Sequence, residues 1–184
     1  MVKTQSSQKL ISGSQAPNFT LKGIDNKNYS LVDINSRTLL IVFICNHCPY
    51  VKAKINDLIS LQSKFDSSDL QIIGINSNDS AYEGEGFDNM VKFAHEYSLN
   101  FPYLIDETQS VARNYGAVCT PDPFLFDESK KLAFHGKIND ALETNSRATV
   151  NTMENNIQKI LDGEKSSIEK DFDPSIGCSI KWIN

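Results

Sequence analysis

The chain has 184 residues, with 18 basic against 23 acidic side chains and a formal net charge of −5; that balance gives no electrostatic footprint for a polyphosphate, and excludes nucleic acid as an expected partner. Hydrophobic residues make up 40% and charged residues 22% of the chain, which excludes disordered and collagenous classes and leaves enough chain to bury a core as one domain. Four cysteines are too few for a disulfide scaffold, so any disulfide is expected to be transient.

Residues 1–15, MVKTQSSQKLISGSQ, are polar and hold no apolar core of signal-peptide length, and no later stretch approaches a membrane span. The expectation is a cytoplasmic protein with no membrane partner. APNFTLKGIDNKNYSLVDI reads as a hairpin around GIDNKN, with Phe19 and Leu21 on one arm and Tyr29 and Leu31 on the other. TLLIVFI, residues 38–44, is apolar without alternation, as a strand covered on both faces must be.

Val51, Ile55, Leu58, Ile59 and Phe65 then recur at helical spacing and predict a helix from Cys48 to Phe65, with Pro49 in its first turn, where the missing N–H costs nothing. LQIIGIN, residues 70–76, reads as a second buried strand. GFDNMVKFAHEYSL reads as a helix, FPYLID as a short strand, and ETQSVARNYG as a helix closed by Gly116. PFLFDESKKLAFHGKI predicts a hairpin across DESKK, and TVNTMENNIQKILDG a final amphipathic helix; the tail, residues 163–184, has no clear period. Strands alternating with helices, then a hairpin and a closing helix, describe a mixed sheet covered on both sides in an α/β sandwich, a single domain spanning 1–184.

Cys45 and Cys48 stand where the buried strand gives way to the helix. A thiolate is stabilised at a helix N-terminus by unpaired backbone donors and the positive end of the dipole. Two intervening residues let the second sulfur curl back on the first, so the pair can close into a disulfide and reopen by exchange. An imidazolium at His47 would lower the thiolate pKa further and make the pair more oxidising. Metal binding and plain burial are the alternatives for a lone CxxC. A structural zinc needs four ligands, and Cys119 and Cys178 are isolated from each other, so no metal is expected.

With this motif and CTPDPFLFD at residues 119–127, the chain resembles the thioredoxin superfamily. It is similar in particular to the peroxiredoxin-like AhpC/TSA branch, through APNF, CNHCPYV, NSND, NFPYLIDETQSVARNYGAVCTPD and GCSIKW. The resemblance implies a thioredoxin-like three-layer α/β/α sandwich with an N-terminal β-hairpin. It also implies a cis proline facing the dithiol, which places Thr120 and Pro121 at the substrate surface. Two departures stand out. Ile44 and Asn46-His47 replace the Trp and Gly-Pro usual around the thioredoxin cysteines, and the histidine resembles an oxidising DsbA-type centre. Aligned on Cys48, Cys45 and Ile41 occupy the places where peroxiredoxins carry Thr or Ser and Pro. Arg113 and Arg147 are expected to be solvated helix charges rather than peroxide ligands.

Cys119 reads either as a small buried hydrophobe or as a resolving thiol. Cys178, near Trp182, reads as packing, though a mobile tail would be able to deliver it. Asp79, Glu83, Glu85 and Asp88 read as a solvated acidic loop that borders the site, and His95 and His135 as ordinary surface and strand residues. The function expected is a thiol–disulfide oxidoreductase: Cys45 attacks, Cys48 resolves, His47 tunes the thiolate and Pro121 shapes the surface. Its partners are a protein or small-molecule disulfide or peroxide and a thiol reductant, with no cofactor beyond the Cys45–Cys48 disulfide. The alternatives are an antioxidant thiol peroxidase, or a copper-binding protein using Cys45, His47 and Cys48 with His135. The latter resembles thioredoxin-like copper chaperones, whose cysteines are usually spaced more widely.

Overall fold

The structure is a computed structural model that describes residues 3–183. The first strands are β1 (Lys3–Gln5), β2 (Thr20–Gly23), β3 (Asn28–Ser30) and β4 (Thr38–Phe43), followed by helix α1 (Pro49–Lys64) and strand β5 (Leu70–Asn76). Next come α2 (Phe87–Tyr97), β6 (Tyr103–Ile105), α3 (Ser110–Tyr115), β7 (Cys119–Thr120), β8 (Asp122–Asp127) and β9 (Leu132–Gly136). The chain closes with α4 (Thr152–Leu161), β10 (Phe172–Asp173) and β11 (Ile176–Ser179).

Eight strands form a mixed sheet in the order β10-β9-β8-β4-β5-β6-β2-β3. β4 lies in its interior, parallel to β5 and antiparallel to β8, and every one of its residues is buried. That is why its sequence shows no alternation: Leu40 and Val42 enter one core with Val51, Ile55 and Leu58 of α1, Phe93 of α2 and Ile157 of α4. Leu39, Ile41 and Phe43 enter a second core on the opposite face, with Val111 and Tyr115 of α3 and with Ala16 and Phe19. Two cores on the two faces of one sheet are the three layers expected from the sequence.

The predicted hairpin forms between β2 and β3, with Leu21 opposite Tyr29. Phe19 and Leu31 sit just beyond the paired strands, joined by a backbone bond from Leu31 N to Phe19 O at 3.1 Å. The predicted helices and buried strands all form, within a few residues of their expected ends. Gly116 closes α3 with a left-handed φ of 78°.

The sequence reading missed the strands at the two ends. β1 and β11 pair antiparallel, and β11 pairs on its other side with β7, making a separate three-stranded sheet in the order β1-β11-β7. These strands are two to four residues long, too short for a period, and are set by backbone pairing. Gly177 makes the closest approach: a Cβ there would fall 1.9 Å from the Thr120 carbonyl oxygen. Among the described residues no helix is long and apolar enough to cross a membrane.

Because neighbouring residues of β4 point into different cores, Leu40→Ala and Ile41→Ala should each lower the urea-unfolding free energy by about 2–5 kcal/mol. A strand with one solvated face would give one large effect and one near zero.

Candidate active site

β4 runs out at Phe43, Ile44 continues the ladder with its N–H on Ile75 O at 2.9 Å, and the chain turns through Cys45-Asn46-His47. Cys48 is the N-cap of α1, and Pro49 takes the first helical position. β7 faces this turn: Thr120 Oγ1 lies 3.1 Å from Cys45 Sγ, and the Thr120 carbonyl oxygen lies 3.2 Å from Cys48 Sγ. The Thr120–Pro121 peptide bond is cis, as the resemblance implies. Neither Cys45 nor Cys48 has exposed surface, and none of the four cysteines is in a disulfide.

The loop between the cysteines is fixed by a residue read from the sequence as solvated. Glu85 is buried, with no exposed side-chain surface. Its Oε1 accepts the backbone N–H groups of Asn46 and His47 at 3.1 and 3.2 Å and pairs with His47 Nδ1. Its Oε2 accepts Asn76 Nδ2 at 2.7 Å. Asn46 is held from its other side, donating from Nδ2 to Gly84 O at 3.2 Å and accepting from the Tyr103 hydroxyl at 2.9 Å. Glu83 and Asp88 are exposed. What marks Glu85 in the sequence is its place between two glycines, both with positive φ, in the loop following the end of β5.

The two thiols differ in electrostatics. Burial, the proximity of Cys48 and the Glu85 carboxylate raise the Cys45 pKa well above the ordinary thiol range. Cys48 is brought down to about 5 by donation from Cys45, against the cost of burial, with further help from Cys178 and the first-turn Val51 N–H. As a thiol, Cys48 has one S–H to donate, either to Thr120 O or to Cys178; as a thiolate it accepts from the Cys45 and Cys178 thiols. Cys178 Sγ lies 2.8 Å from Cys48 Sγ, and burial together with Cys48 pushes its pKa up to about 12.

Cys119 is buried on β7, where burial and Asp122 raise its pKa; the third sulfur brought against the dithiol is that of Cys178, which the sequence reading took for packing. His135 is buried on β9, stacked on Phe124 at 3.9 Å, with Nε2 2.7 Å from Asp122 Oδ1, and has no part in the dithiol cluster. His95 and Arg147 are exposed, and Arg113 lies over the Trp182 ring at 4.4 Å. Among the described residues one metal-competent group occurs, Cys45, His47 and Glu85, with ligand atoms within 4.8 Å of one another. A cation there would displace the His47–Glu85 and Cys45–Thr120 contacts, and neither Cys48 nor His135 joins the set. A small, mostly apolar cleft of about 20 Å³ lies beside the cis proline, lined by residues including Tyr50, Pro121, Pro123, Ile138 and Ile176.

The AhpC/TSA family model matches residues 12–135. An uncharacterized conserved protein from Geobacillus kaustophilus is 36% identical, with a TM-score of 0.92 over 100% of this chain and 97% of its own. The thiol-disulfide oxidoreductase ResA of Bacillus thuringiensis is 26% identical over 126 residues, 68% of this chain and 69% of the relative. The thioredoxin domain of a thiol-disulfide oxidoreductase from Bacteroides vulgatus is 19% identical, with a TM-score of 0.65 over 82% of this chain and 98% of its own, and shows the thioredoxin fold.

Replacing Glu85 by Ala should lower unfolding free energy by about 3 kcal/mol or more in urea, since it strands several buried donors. It should also lower the Cys45 pKa, because a negative charge is removed. Titration of thiolate absorbance in the ultraviolet should show one transition near pH 5 that disappears in Cys48→Ser. Cys45→Ala should move it upward most, and Cys178→Ala less. The Cys48 pKa is depressed from ~8.5 in the unfolded chain, so its contribution to stability is full above that value and is lost as pH falls through about 5. No thiolate below about pH 8 would refute this assignment.

Proposed function

Because the chain belongs to the AhpC/TSA family and has the thioredoxin fold, we propose that it is a thiol–disulfide oxidoreductase whose working groups are Cys45 and Cys48. The observation that carries this reading is the dithiol at the N-terminus of α1, with Cys45 3.1 Å from Thr120 Oγ1 and Cys48 at the cap. The named activity of the ResA relative supports it.

The sequence reading has Cys45 attack first; the lowered Cys48 pKa supports the opposite order. Cys48, the sulfur whose thiolate is stabilised, attacks one sulfur of a substrate disulfide. A mixed disulfide forms and the other substrate sulfur leaves as a thiolate. Cys45, giving its proton to that leaving group, then attacks Cys48 Sγ. The Cys45–Cys48 bond forms and the second substrate thiolate departs, so the substrate gains two electrons and the dithiol loses two. His47, tied to Glu85, fixes the loop that sets the distance between the sulfurs. The apolar surface beside Pro121 receives the substrate chain. Both sulfurs lie below the surface, so a protein disulfide reaches them only when the covering segments shift.

A second reading, thiol peroxidase, is favoured by the stabilised Cys48 thiolate in a chain of this family. There Cys48 takes an oxygen from the peroxide to become a sulfenic acid, and Cys45 condenses with it to release water. Against it stand Ile41 and Cys45 at the usual Pro and Thr positions, and Arg113 engaged on Trp182.

Equilibration with glutathione buffers, followed by mass-spectrometric mapping, should give a reversible Cys45–Cys48 disulfide with a potential between about −270 and −120 mV, toward the oxidising end because the reduced thiolate is stabilised. Cys48→Ser should abolish disulfide exchange, and Cys45→Ser should slow it by removing one of the two thiols that share the reaction. Exchange activity in Cys48→Ser, or wild-type exchange rates in Cys45→Ser, refutes the dithiol mechanism, and stopped-flow oxidation by peroxide faster than a simple thiol would move the peroxidase ahead.

A further inference from the structure

The dithiol mechanism leaves Cys178 unused, although its sulfur is in contact with Cys48 Sγ at 2.8 Å. Two further observations show that the contact is built into the fold. β11 is paired on both sides, with Cys178 opposite Lys3 of β1 and opposite Thr120 of β7, and Thr120 is the residue that touches both Cys45 and Cys48. The residue before Cys178 is Gly177, where any Cβ would overlap the Thr120 carbonyl, so the close approach of β11 to the dithiol depends on a glycine at that position. Cys178 is 2% exposed, which shields this sulfur pair from external thiols.

We propose that Cys178 is a third redox thiol of the site, exchanging with the Cys45–Cys48 disulfide to form Cys48–Cys178; this rests on the dithiol reading above. In the exchange the Cys178 sulfur attacks Cys48 Sγ and its proton passes to the Cys45 sulfur. The Cys48–Cys178 bond forms as the Cys45–Cys48 bond breaks, and Cys45 is released as a thiol. Cys178 is oxidised and Cys45 reduced by one formal electron each while Cys48 is unchanged, so the oxidation level of the protein is constant and the step needs no outside oxidant. A disulfide bond is about 2.05 Å long, so the sulfurs close by less than about 1 Å to reach it. The product ties β11 to the start of α1 and frees Cys45 while the oxidising equivalent is retained.

The experiment is a disulfide map of the full chain, equilibrated over a range of glutathione ratios, acid-quenched, alkylated and digested. The expected result in the wild type is two disulfides sharing Cys48, whose sum follows the glutathione ratio while their proportion stays constant, because they are isomers of one oxidation level. In Cys45→Ser, oxidised glutathione should yield Cys48–Cys178 with the loss of two hydrogen atoms and no retained glutathione. In Cys45→Ser/Cys178→Ser the glutathione adduct should persist on Cys48. Cys119→Ser should change nothing. The inference is overturned, and the dithiol reading kept, if the wild type gives Cys45–Cys48 alone and Cys45→Ser keeps glutathione on Cys48 with Cys178 alkylated. Wild-type protein with neither disulfide and no exchange activity overturns both. If the Cys45→Ser variant fails to fold, the proportion of the two isomers in the wild type decides.

Discussion

A carboxylate with no exposed surface, Glu85, holds the loop on which the site depends. It accepts two backbone N–H groups from the residues between the cysteines, the His47 ring and the Asn76 amide. Burying such a group is costly unless its lone pairs are filled, and here four donors fill them. The cost and its compensation fix geometry: α1 can begin only where Cys45-Asn46-His47 reach Glu85, and Glu85 can reach them only because Gly84 and Gly86 bend the chain after β5 with φ near 85°. The same negative charge disfavours a thiolate at Cys45. One residue therefore sets where the dithiol sits and adds to the burial that keeps Cys45 protonated.

The second constraint is the burial of β4 on both faces. A strand of this kind needs helices on either side, and the side bearing α1, α2 and α4 delivers the α1 N-terminus to the strand end. The three-stranded sheet then closes over the same point from the outside. β1, β7 and β11 come from opposite ends and the middle of the described chain, and their pairing leaves both cysteines of the motif without exposed surface. Reactivity at these sulfurs is thus coupled to local opening of short strands, which are the elements with the least apolar burial to hold them.

The parts legible in the sequence were those fixed by long periodic stretches: β4, β5, α1, α2, α4 and both hairpins. The CxxC pair was legible because a buried strand and a proline frame it, and Thr120-Pro121 because of the strings around it. Glu85 was not legible, since a lone glutamate among Glu83 and Asp88 has the composition of a solvated loop, and its burial is decided by tertiary contacts with Asn46 and Asn76. Cys178 was read first as packing, with delivery by a mobile tail as the alternative, for a related reason. Strand β11 is four residues long and has no hydrophobic period, so its position follows from backbone pairing with segments more than fifty residues away in sequence. The tight fit at Gly177 is the sequence trace of that pairing, visible once the partner strand is known.

A stabilised thiolate in a site without exposed surface appears contradictory, since burial alone raises thiol pKa values, as it does at Cys119 and Cys45. Cys48 escapes because two other thiols donate to it, Cys45 foremost, and because the first-turn Val51 N–H of α1 adds a smaller contribution. Charge is therefore focused on one sulfur by protonating its neighbours, and each neighbour holds the proton that the next exchange step must move. The anion is stabilised in the reduced protein and lost when the disulfide forms, so the arrangement favours reduction of the disulfide to the dithiol and makes that disulfide a better oxidant. The clustering of three sulfurs around one cap serves that requirement: removing either donor raises the Cys48 pKa, Cys45 more than Cys178.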